Sequence, residues 1–278
     1  MEEENKGKIS IIIPTYNRSN YVKRAVESVL DQSYENTEII VIDDASVDDT
    51  RETIESIKDK RIKYIRNKEN KGANFSRNKG IKKSTGKYIS FLDDDDFFSD
   101  KNKLKKQVEL FLKNKNVVFV GCGYYDKSID KERYPKIKGK ISEKLLMNFS
   151  DIETSTILID KKTVEKIGLF DEKLPSEQNH DFFYRISKKG EFDYLDKVMV
   201  NKDNPETQIS STSKNKILGY LLFHKKHFKD MKKLGYKKLL QLTLKFMLVS
   251  FLFSTSIFFK NNLKATQKLD EIIKSKND

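Results

Sequence analysis

The segment ISIIIPTYNR, residues 9–18, begins as a run of β-branched residues and ends in a polar loop. The same change recurs in EIIVIDDASVDDT, residues 38–50, and in YISFLDDDD, residues 88–96. Short apolar runs that alternate with amphipathic segments are typical of βαβ units on a parallel sheet. The three polar loops are then expected at the carboxyl edge of one sheet, where open α/β folds bind their ligands.

The spacing of apolar residues predicts an α/β fold with a central, mostly parallel sheet and a helical C-terminal extension. Strands are expected at residues 9–13, 38–42, 62–65, 88–92, 117–121 and 155–159. Helices are expected at residues 21–30, 48–58, 74–83, 103–113, 143–149, 161–167 and 180–189, with a loop or hairpin after Gly123. We predict one domain over residues 1–213, with halves 1–123 and 124–213, followed by a helical extension over residues 214–278.

Composition excludes several classes of protein. A chain of 278 residues with 37% hydrophobic residues can bury a core, so it is not a disordered chain. The single cysteine, Cys122, cannot form an internal disulfide, and the polar N-terminal residues MEEENKGK lack the apolar core of a signal peptide. These features predict a cytoplasmic protein.

The positive charge is concentrated near the C-terminus. The formal net charge is +13, and residues 214–278 contain 15 lysines against four acidic residues. Such a balance is typical of proteins that bind nucleic acid or an anionic membrane. We expect no nucleic-acid partner, because the sequence has neither an aromatic platform for single strands nor a recognition-helix motif.

The C-terminal extension also contains an apolar stretch. Residues 239–259 include 14 large apolar residues, but Gln241 and Lys245 interrupt them, and a spanning helix needs about 20 predominantly apolar residues. We therefore predict that residues 214–260 lie on an anionic membrane surface, which places the protein peripherally at the inner face of the membrane. The alternative is a helix that packs on the rest of the chain or in a homo-oligomer.

The loops after the predicted strands carry the candidate binding residues. No G-x-G-x-x-G follows the first strand, and no phosphate-binding G-x-x-x-x-G-K-[ST] motif occurs, which argues against a dinucleotide dehydrogenase and a P-loop nucleotidase. A nucleotide could instead be held through its base and ribose. The ring of Tyr16 can stack on a base, and the Asp44 carboxylate can accept the imide N–H of uracil.

Four consecutive aspartates, Asp93 to Asp96, follow the apolar strand at residues 88–92. A run of like charges is most often a solvated turn. At the end of a buried strand, in a chain that is otherwise basic, the carboxylates instead favour a site for Mg²⁺ or Mn²⁺, bound jointly by the protein and by diphosphate oxygens.

Three motifs in order, SIIIPTYNR, VIDDASVDDT and NKGANFSRNKGIKKSTGKYISFLDDDD, resemble the family 2 glycosyltransferases with the nucleotide-binding GT-A fold. The resemblance implies transfer of a sugar, with inversion, from a nucleotide diphosphate donor, with UDP favoured, to a hydroxyl of a glycan or lipid-linked glycan. It implies that Asp93 and Asp95 form a metal-binding D-x-D pair for Mn²⁺ or Mg²⁺. The residues it implies for nucleotide binding are Pro14, Thr15, Tyr16, Asn17, Asp44, Arg77 and Asp94, with Arg77 facing the diphosphate or the donor sugar.

The resemblance also locates a general base, and there the sequence departs from the family. Family members carry the base in a pattern like Q-D-x-D-x-x-x-R, which matches residues 178–185 and puts Asn179 at the base position. A carboxamide cannot accept a proton at neutral pH. Three explanations stay open: an engineered change from Asp, a substitute among Asp181, Glu177 and His180, or a protein that binds donor without efficient transfer. Asp181 is the first substitute to consider.

Overall fold

The computed structural model describes residues 6–147, 151–203 and 213–238, together with residues 240 and 244. The chain divides into a larger unit, residues 1–223, and a smaller unit, residues 224–278.

The first half of the larger unit alternates strands with helices, as the sequence predicts. The strands are β1 (Ile9–Thr15), β2 (Thr37–Asp43), β3 (Ile62–Arg66), β4 (Tyr88–Phe91) and β5 (Asp96–Phe98). The helices are α1 (Ser19–Leu30), α2 (Thr50–Ser56), α3 (Ala73–Lys83) and α4 (Lys103–Lys113).

The second half adds strands β6 (Val117–Asp126), β7 (Lys131–Arg133), β8 (Leu158–Asp160) and β9 (Glu191–Lys202). Its helices are α5 (Ser142–Met147), α6 (Lys161–Ile167), α7 (Gln178–Ser187) and α8 (Ser213–Lys226), the last of which continues into the smaller unit.

All nine strands of the described residues belong to one sheet. Along the sheet the order is β3-β2-β1-β4-β8-β6-β9-β5, and β7 pairs with β6. Strand β1 pairs in parallel with β2 on one side and with β4 on the other. The chain order therefore reverses between β1 and β4, and the crevice beyond their carboxyl ends is a switch point of the kind that binds ligands in open α/β sheets. The predicted α/β fold with a mostly parallel sheet is confirmed.

Burial of the central strands on both faces explains their continuous apolar sequence. All seven residues of β1 and of β2 are buried. Residues Val22, Ala25, Val26 and Val29 of α1 join the main core, as their spacing predicts. On the other face α3 lies so close to β1 that a Cβ on Gly80 would sit 2.4 Å from Cγ2 of Ile12. A glycine inside this helix is thus needed for packing, despite its cost in chain entropy.

The strand predicted at residues 155–159 begins later in the structure. Thr154–Thr156 form a 3₁₀ turn, and β8 starts at Leu158. The turn is held by polar contacts, since the Thr156 carbonyl accepts a hydrogen bond of 2.8 Å from Nε2 of Gln107. The segment after Gly123 is the hairpin β6–β7, one of the two predicted possibilities.

Strand β9 is absent from the sequence prediction, although it is 12 residues long. Between the β6 partners Cys122 and Gly123, the register on β9 jumps from Leu195 to Val198. The exposed residues Asp196 and Lys197 therefore form a bulge that shifts the alternation of apolar and polar residues. Because of this break, β9 does not show the regular alternation of apolar and polar residues by which a strand is predicted.

The smaller unit contains the end of α8 and the short helix α9 (Phe228–Lys232), and residues 236–238 are again helical. The described residues of the predicted helical extension are thus mainly helical, and Gly235, whose φ of +84° lies in the left-handed region, separates α9 from the helical residues 236–238. Most of the apolar stretch at residues 239–259 lies outside the described residues. Within the described part, no helix is both long and apolar enough to cross a membrane.

Candidate active site

The carboxyl ends of β1 and β4 open into a cavity of about 240 Å³. Its walls come from the loops after β1, β2 and β4, the start of α3 and the end of β9. The lining residues are Pro14, Thr15, Tyr16, Arg18, Asp44, Asn70, Gly72, Ala73, Arg77, Asp93, Asp94, Asp95 and Lys202. Every residue that the sequence analysis selected for nucleotide or metal binding lines this cavity, with the exception of Asn17.

Arg18 joins two of the consecutive aspartates. One nitrogen, Nη1, donates to Oδ1 of Asp94 at 3.0 Å and to Oδ2 of Asp95 at 2.9 Å. Asp94 also accepts a hydrogen bond of 2.9 Å from the Thr15 hydroxyl. The two carboxylates therefore converge on one cationic atom, which offsets the repulsion between them.

The outer two aspartates are held by other partners. The Arg77 guanidinium donates to Asp93 through Nη2 at 2.5 Å, and its Nη1 donates to Asn74 at 2.9 Å. Asp96 accepts a hydrogen bond of 2.5 Å from the Ser155 hydroxyl, which in turn accepts the backbone N–H of Asp93 at 3.1 Å. The 3₁₀ turn thus fixes the backbone of the acidic loop.

Burial changes the acidity of these carboxyl groups. It raises the pKa of Asp94 to about 6, against the opposing charge of Arg18. Burial and the charge of Asp93 also raise the pKa of Asp95 and of Asp96. An added cation would stabilise such a cluster, because it favours the ionised forms of the carboxyl groups.

Asp44 lines the cavity and also makes hydrogen bonds to the loop before α3. Its carboxylate accepts the backbone N–H of Gly72 at 2.6 Å, the N–H of Lys71 at 3.0 Å and the Nδ2 group of Asn67 at 2.7 Å. These hydrogen bonds fix the loop that leads into α3. A nucleoside that contacts Asp44 would share a carboxylate already used by the protein.

Asn17 connects two loops. Its backbone N–H donates to the Ser46 hydroxyl at 2.9 Å, and its Oδ1 accepts the N–H of Val47 at 2.7 Å. Its φ of +53° is left-handed, a conformation that asparagine tolerates better than most residues. Asn17 therefore joins the loop after β1 to the loop after β2.

Two cations of the cavity were not selected from the sequence. Arg18 lay within the quoted PTYNR motif, but its contacts depend on residues 76 or more positions away. Lys202 lies at the end of β9, the strand that the pattern missed, and its Nζ pairs with Glu153 at 3.0 Å. Although burial acts to lower it, the charges of Glu153 and Asp96 raise the pKa of Lys202 above its ordinary value.

A second cavity, of about 230 Å³, contains the segment where the base is expected. Its lining residues are Ile152, Glu153, Glu177, Gln178, Asn179, His180 and Phe183. The pair between Glu153 and Lys202 links the walls of the two cavities, because Lys202 lines the first. Asn179 keeps its Oδ1 buried with no hydrogen-bond partner among the described residues.

Asp181 lies elsewhere. It is 0% exposed, it is not among the lining residues of either cavity, and its Oδ2 accepts Nε of Arg185 at 2.8 Å. The Arg185 guanidinium also donates to the carbonyls of Ile167 at 2.9 Å and Leu169 at 2.8 Å. The pair thus joins α7 to the C-terminal end of α6, where backbone carbonyls favour a cation.

The donor set of the acidic loop fits a divalent cation. Among the described residues, no three His, Cys, Asp or Glu side chains form a complete metal-binding group. Yet Asp94 and Asp95 already direct two oxygens at one positive atom, and hard carboxylate oxygens are the ligands that Mg²⁺ and Mn²⁺ prefer. Two protein ligands suffice when diphosphate oxygens and water supply the others.

Comparison with solved structures identifies the fold. TarS of S. aureus, solved with UDP-GlcNAc, superimposes with a TM-score of 0.63 at 21% identity, covering 72% of this chain and 60% of that one. A mannosyltransferase of Pyrobaculum calidifontis, PcManGT, solved with GDP-Man and Mn²⁺, gives 0.62 at 16% identity, covering 80% and 64%. The fold is the GT-A fold of the glycosyltransferases.

Sequence comparison gives the family. The model for glycosyl transferase family 2 matches residues 10–167, more than half of the chain. An uncharacterised glycosyltransferase of Rickettsia prowazekii is 36% identical over 76% of this chain and 69% of its own length. WfaP of Escherichia coli, a UDP-Glc:α-D-GlcNAc-diphosphoundecaprenol β-1,3-glucosyltransferase, is 37% identical over 58% of this chain and 63% of its own. The chain belongs to glycosyl transferase family 2.

Proposed function

We propose that this glycosyltransferase transfers a sugar, with inversion, from a nucleotide diphosphate, with UDP favoured, to a hydroxyl of a glycan or lipid-linked glycan. One observation supports this most: a single cavity at the switch point is lined by Tyr16 and Asp44, which suit a nucleoside, and by three aspartates together with Arg18, Arg77 and Lys202. A nucleoside diphosphate joins a planar base to an anionic end, and these residues offer partners for both. WfaP acts on a lipid-linked acceptor by its name, which supports the acceptor class.

A divalent cation belongs to this proposal. Of the D-x-D pair, Asp95 would hold Mn²⁺ or Mg²⁺ directly, because its carboxylate already shares one cationic atom with Asp94, whereas Asp93 is paired with Arg77 at 2.5 Å. The cation would stabilise the negative charge that develops on the departing diphosphate. Arg77 and Lys202 contribute fixed positive charge at the same end of the cavity. Their ion pairs with Asp93 and Glu153 orient both side chains before the donor binds.

The test compares donor binding in two variants of the full chain. Isothermal titration with UDP, UDP-glucose, UDP-GlcNAc and GDP-mannose is carried out with Mn²⁺ and with EDTA. We expect Asp95→Ala to remove the metal-dependent part of the affinity, at least tenfold, while the thermal midpoint without ligand changes little. Asp196→Ala removes an exposed aspartate in the bulge of β9 and is the matched control.

Two results would contradict the proposal. Affinity that is unchanged by both chelation and Asp95→Ala would show that no cation acts at this loop. Failure of every nucleotide sugar to bind the wild-type chain would remove the donor class itself. Binding without transfer to any acceptor would favour the alternative of a sugar-nucleotide binder weakened at Asn179.

A further inference from the structure

The second cavity contains the carboxylate of Glu177, to which the proposed function has so far given no role. Glu177 immediately precedes α7 and lines this cavity together with Asn179 and His180. Its carboxylate makes no hydrogen bond or ion pair with any residue that the structure describes, and it does not cap the helix that follows. The side chain is therefore free to bind a group that enters the cavity.

The backbone of Glu177 is unusual. Its φ of +64° and ψ of +13° are left-handed, a conformation that is unfavourable for a residue with a Cβ. Glycine or asparagine would relieve this strain. Strained residues of this kind cluster at functional sites, and here the conformation directs a glutamate into a cavity.

The surroundings of Glu177 suit a proton acceptor. Burial raises its pKa to about 7, and Lys216 on α8 opposes that rise. The other titratable groups around it are Tyr220 on α8, His180 on α7 and Glu153 before the 3₁₀ turn. A base with a pKa near the working pH combines basicity with a substantial ionised fraction.

The neighbouring residues are less suited to this role. Glu153 is bound by Lys202 at 3.0 Å, and Asp181 is buried and bound by Arg185 at 2.8 Å. Asn179 occupies the base position of the family pattern, but an amide cannot accept a proton at neutral pH. Among the described carboxylates that line the second cavity, Glu177 alone has no hydrogen bond or ion pair.

We propose that Glu177 is the general base of this enzyme, two residues before the position at which the family pattern carries it. The assignment rests on the proposed function. The acceptor hydroxyl oxygen forms a bond to the anomeric carbon, while the bond from that carbon to the diphosphate oxygen breaks and leaves its electron pair on the nucleoside diphosphate. The hydroxyl proton moves to the Glu177 carboxylate.

The experiment measures donor binding and donor cleavage separately. The full chain is tested with UDP-glucose, UDP-GlcNAc and GDP-mannose in the presence of Mn²⁺, with water as acceptor, from pH 5.5 to 8.5. We expect Glu177→Gln to bind donor within threefold of wild type and to release nucleoside diphosphate at least 100-fold more slowly. The wild-type rate falls below about pH 7 as Glu177 is protonated, and Glu177→Gln lacks this acidic limb.

Three further variants complete the test. Glu177→Asp keeps the carboxylate and should restore part of the rate, whether or not Glu177→Gln alters folding, which circular dichroism reports. Glu165→Gln removes an exposed glutamate of α6 and should change neither binding nor rate. Asn179→Asp introduces a carboxylate at the family position.

Four outcomes would overturn the assignment. The first is a Glu177→Gln rate within threefold of wild type. The second is a gain of 100-fold or more in Asn179→Asp while Glu177→Gln remains active, which moves the base to position 179. The third is a wild-type chain that binds donor without cleaving it. The proposed donor binding would then stand, but the assignment of Glu177 as a base would not. The fourth, a chain that binds none of the three donors, defeats the proposed function itself.

Discussion

Lys103 is a charged residue in the hydrophobic core of the larger unit. It is fully buried, its Nζ donates to Oε1 of Gln107 at 3.0 Å, and the same nitrogen lies 4.1 Å from the centroid of the Phe98 ring. An amide and an aromatic face stabilise an ammonium less than a carboxylate does. Burial accordingly lowers the pKa of Lys103 to about 8.

This shift predicts how stability depends on pH. The folded-state pKa of about 8 lies below the ordinary 10.5, so the unfolded chain binds more protons between these values and stability rises with pH across that window. Relative to Lys103→Met, the wild-type chain should gain roughly 3 kcal/mol of unfolding free energy between pH 7 and pH 10.5. Urea unfolding at several pH values measures the difference.

The control for this prediction is Lys105→Met, on the exposed face of the same helix, which should follow the wild-type pH dependence. A constant difference between wild type and Lys103→Met over the whole range would show that the ammonium keeps its charge in the core.

At the scale of single residues, motifs selected the aspartates that line the first cavity, but neither its cations Arg18 and Lys202 nor the contacts that these side chains make. Asp44 and Asp93 to Asp95 were found because each follows an apolar strand. The hydrogen bonds of Asp44 to the backbone of Lys71 and Gly72 depend on a loop whose course no local pattern encodes. The pairing of Arg18 with two aspartates likewise depends on the parallel pairing of β1 with β4.

At the scale of elements, an ion pair on helix α7 joins that helix to α6. Asp181 and Arg185 are four residues apart on this helix, and Arg185 extends to the carbonyls that end α6. Gly168, with a φ of +82°, follows α6 and lets the chain turn there. Since Glu177 and Asn179 lie at the start of α7, this pair also fixes the wall of the second cavity.

Replacement of Asp181 tests this structural role. Asp181→Asn leaves a largely buried guanidinium without its carboxylate and should lower the unfolding free energy by about 3–5 kcal/mol. The exposed pair Arg51–Glu55 has the same spacing on α2, so Glu55→Gln is the matched control and should change the unfolding free energy far less. Denaturant unfolding of both variants gives the comparison.

A different result would assign another role to Asp181. If Asp181→Asn unfolds like wild type but loses donor cleavage while Glu177→Gln keeps it, Asp181 is the base. The aspartate would then have to leave Arg185 during the reaction.

Elements with an unbroken period were predictable, and elements with a local interruption were not. Strands β1, β2 and β4 are buried on both faces and read as continuous apolar runs. The bulge at Asp196 and Lys197 conceals β9, and hydrogen bonds to Ser155 and Thr156 convert an expected strand start into a 3₁₀ turn. Because the bulge conceals β9, Lys202 at the end of that strand could not be found from the sequence.

At the scale of the whole molecule, charge is divided unevenly along the chain. Residues 1–213 are nearly neutral, with 40 basic and 38 acidic residues, and the extension carries the excess. In the described part of the smaller unit, Tyr236, Leu240 and Leu244 are spaced four residues apart and are 79%, 45% and 56% exposed. A spacing of four is that of side chains on one helix face, each of the three residues is helical, and the neighbouring Lys237 is exposed as well.

An anionic lipid surface is the partner that fits exposed apolar side chains surrounded by lysine, because it offers both negative charge and an apolar interior. We expect the full chain to co-sediment with phosphatidylglycerol vesicles at low salt, and less with pure phosphatidylcholine. Each lysine near such a surface contributes about 1 kcal/mol, so changing Lys229, Lys232, Lys233 and Lys237 to Gln should weaken binding at least tenfold. The matched control changes four exposed lysines of the larger unit, Lys60, Lys105, Lys113 and Lys115, and should bind like wild type despite the same net charge. High salt should weaken the association without removing it, since the apolar contacts are not screened.

The contrary result has two parts. The full chain would not co-sediment with the vesicles, and its mass by light scattering would fall from dimer to monomer when Leu240 and Leu244 are both changed to Ser. Together these results would show that this face joins two copies of the protein.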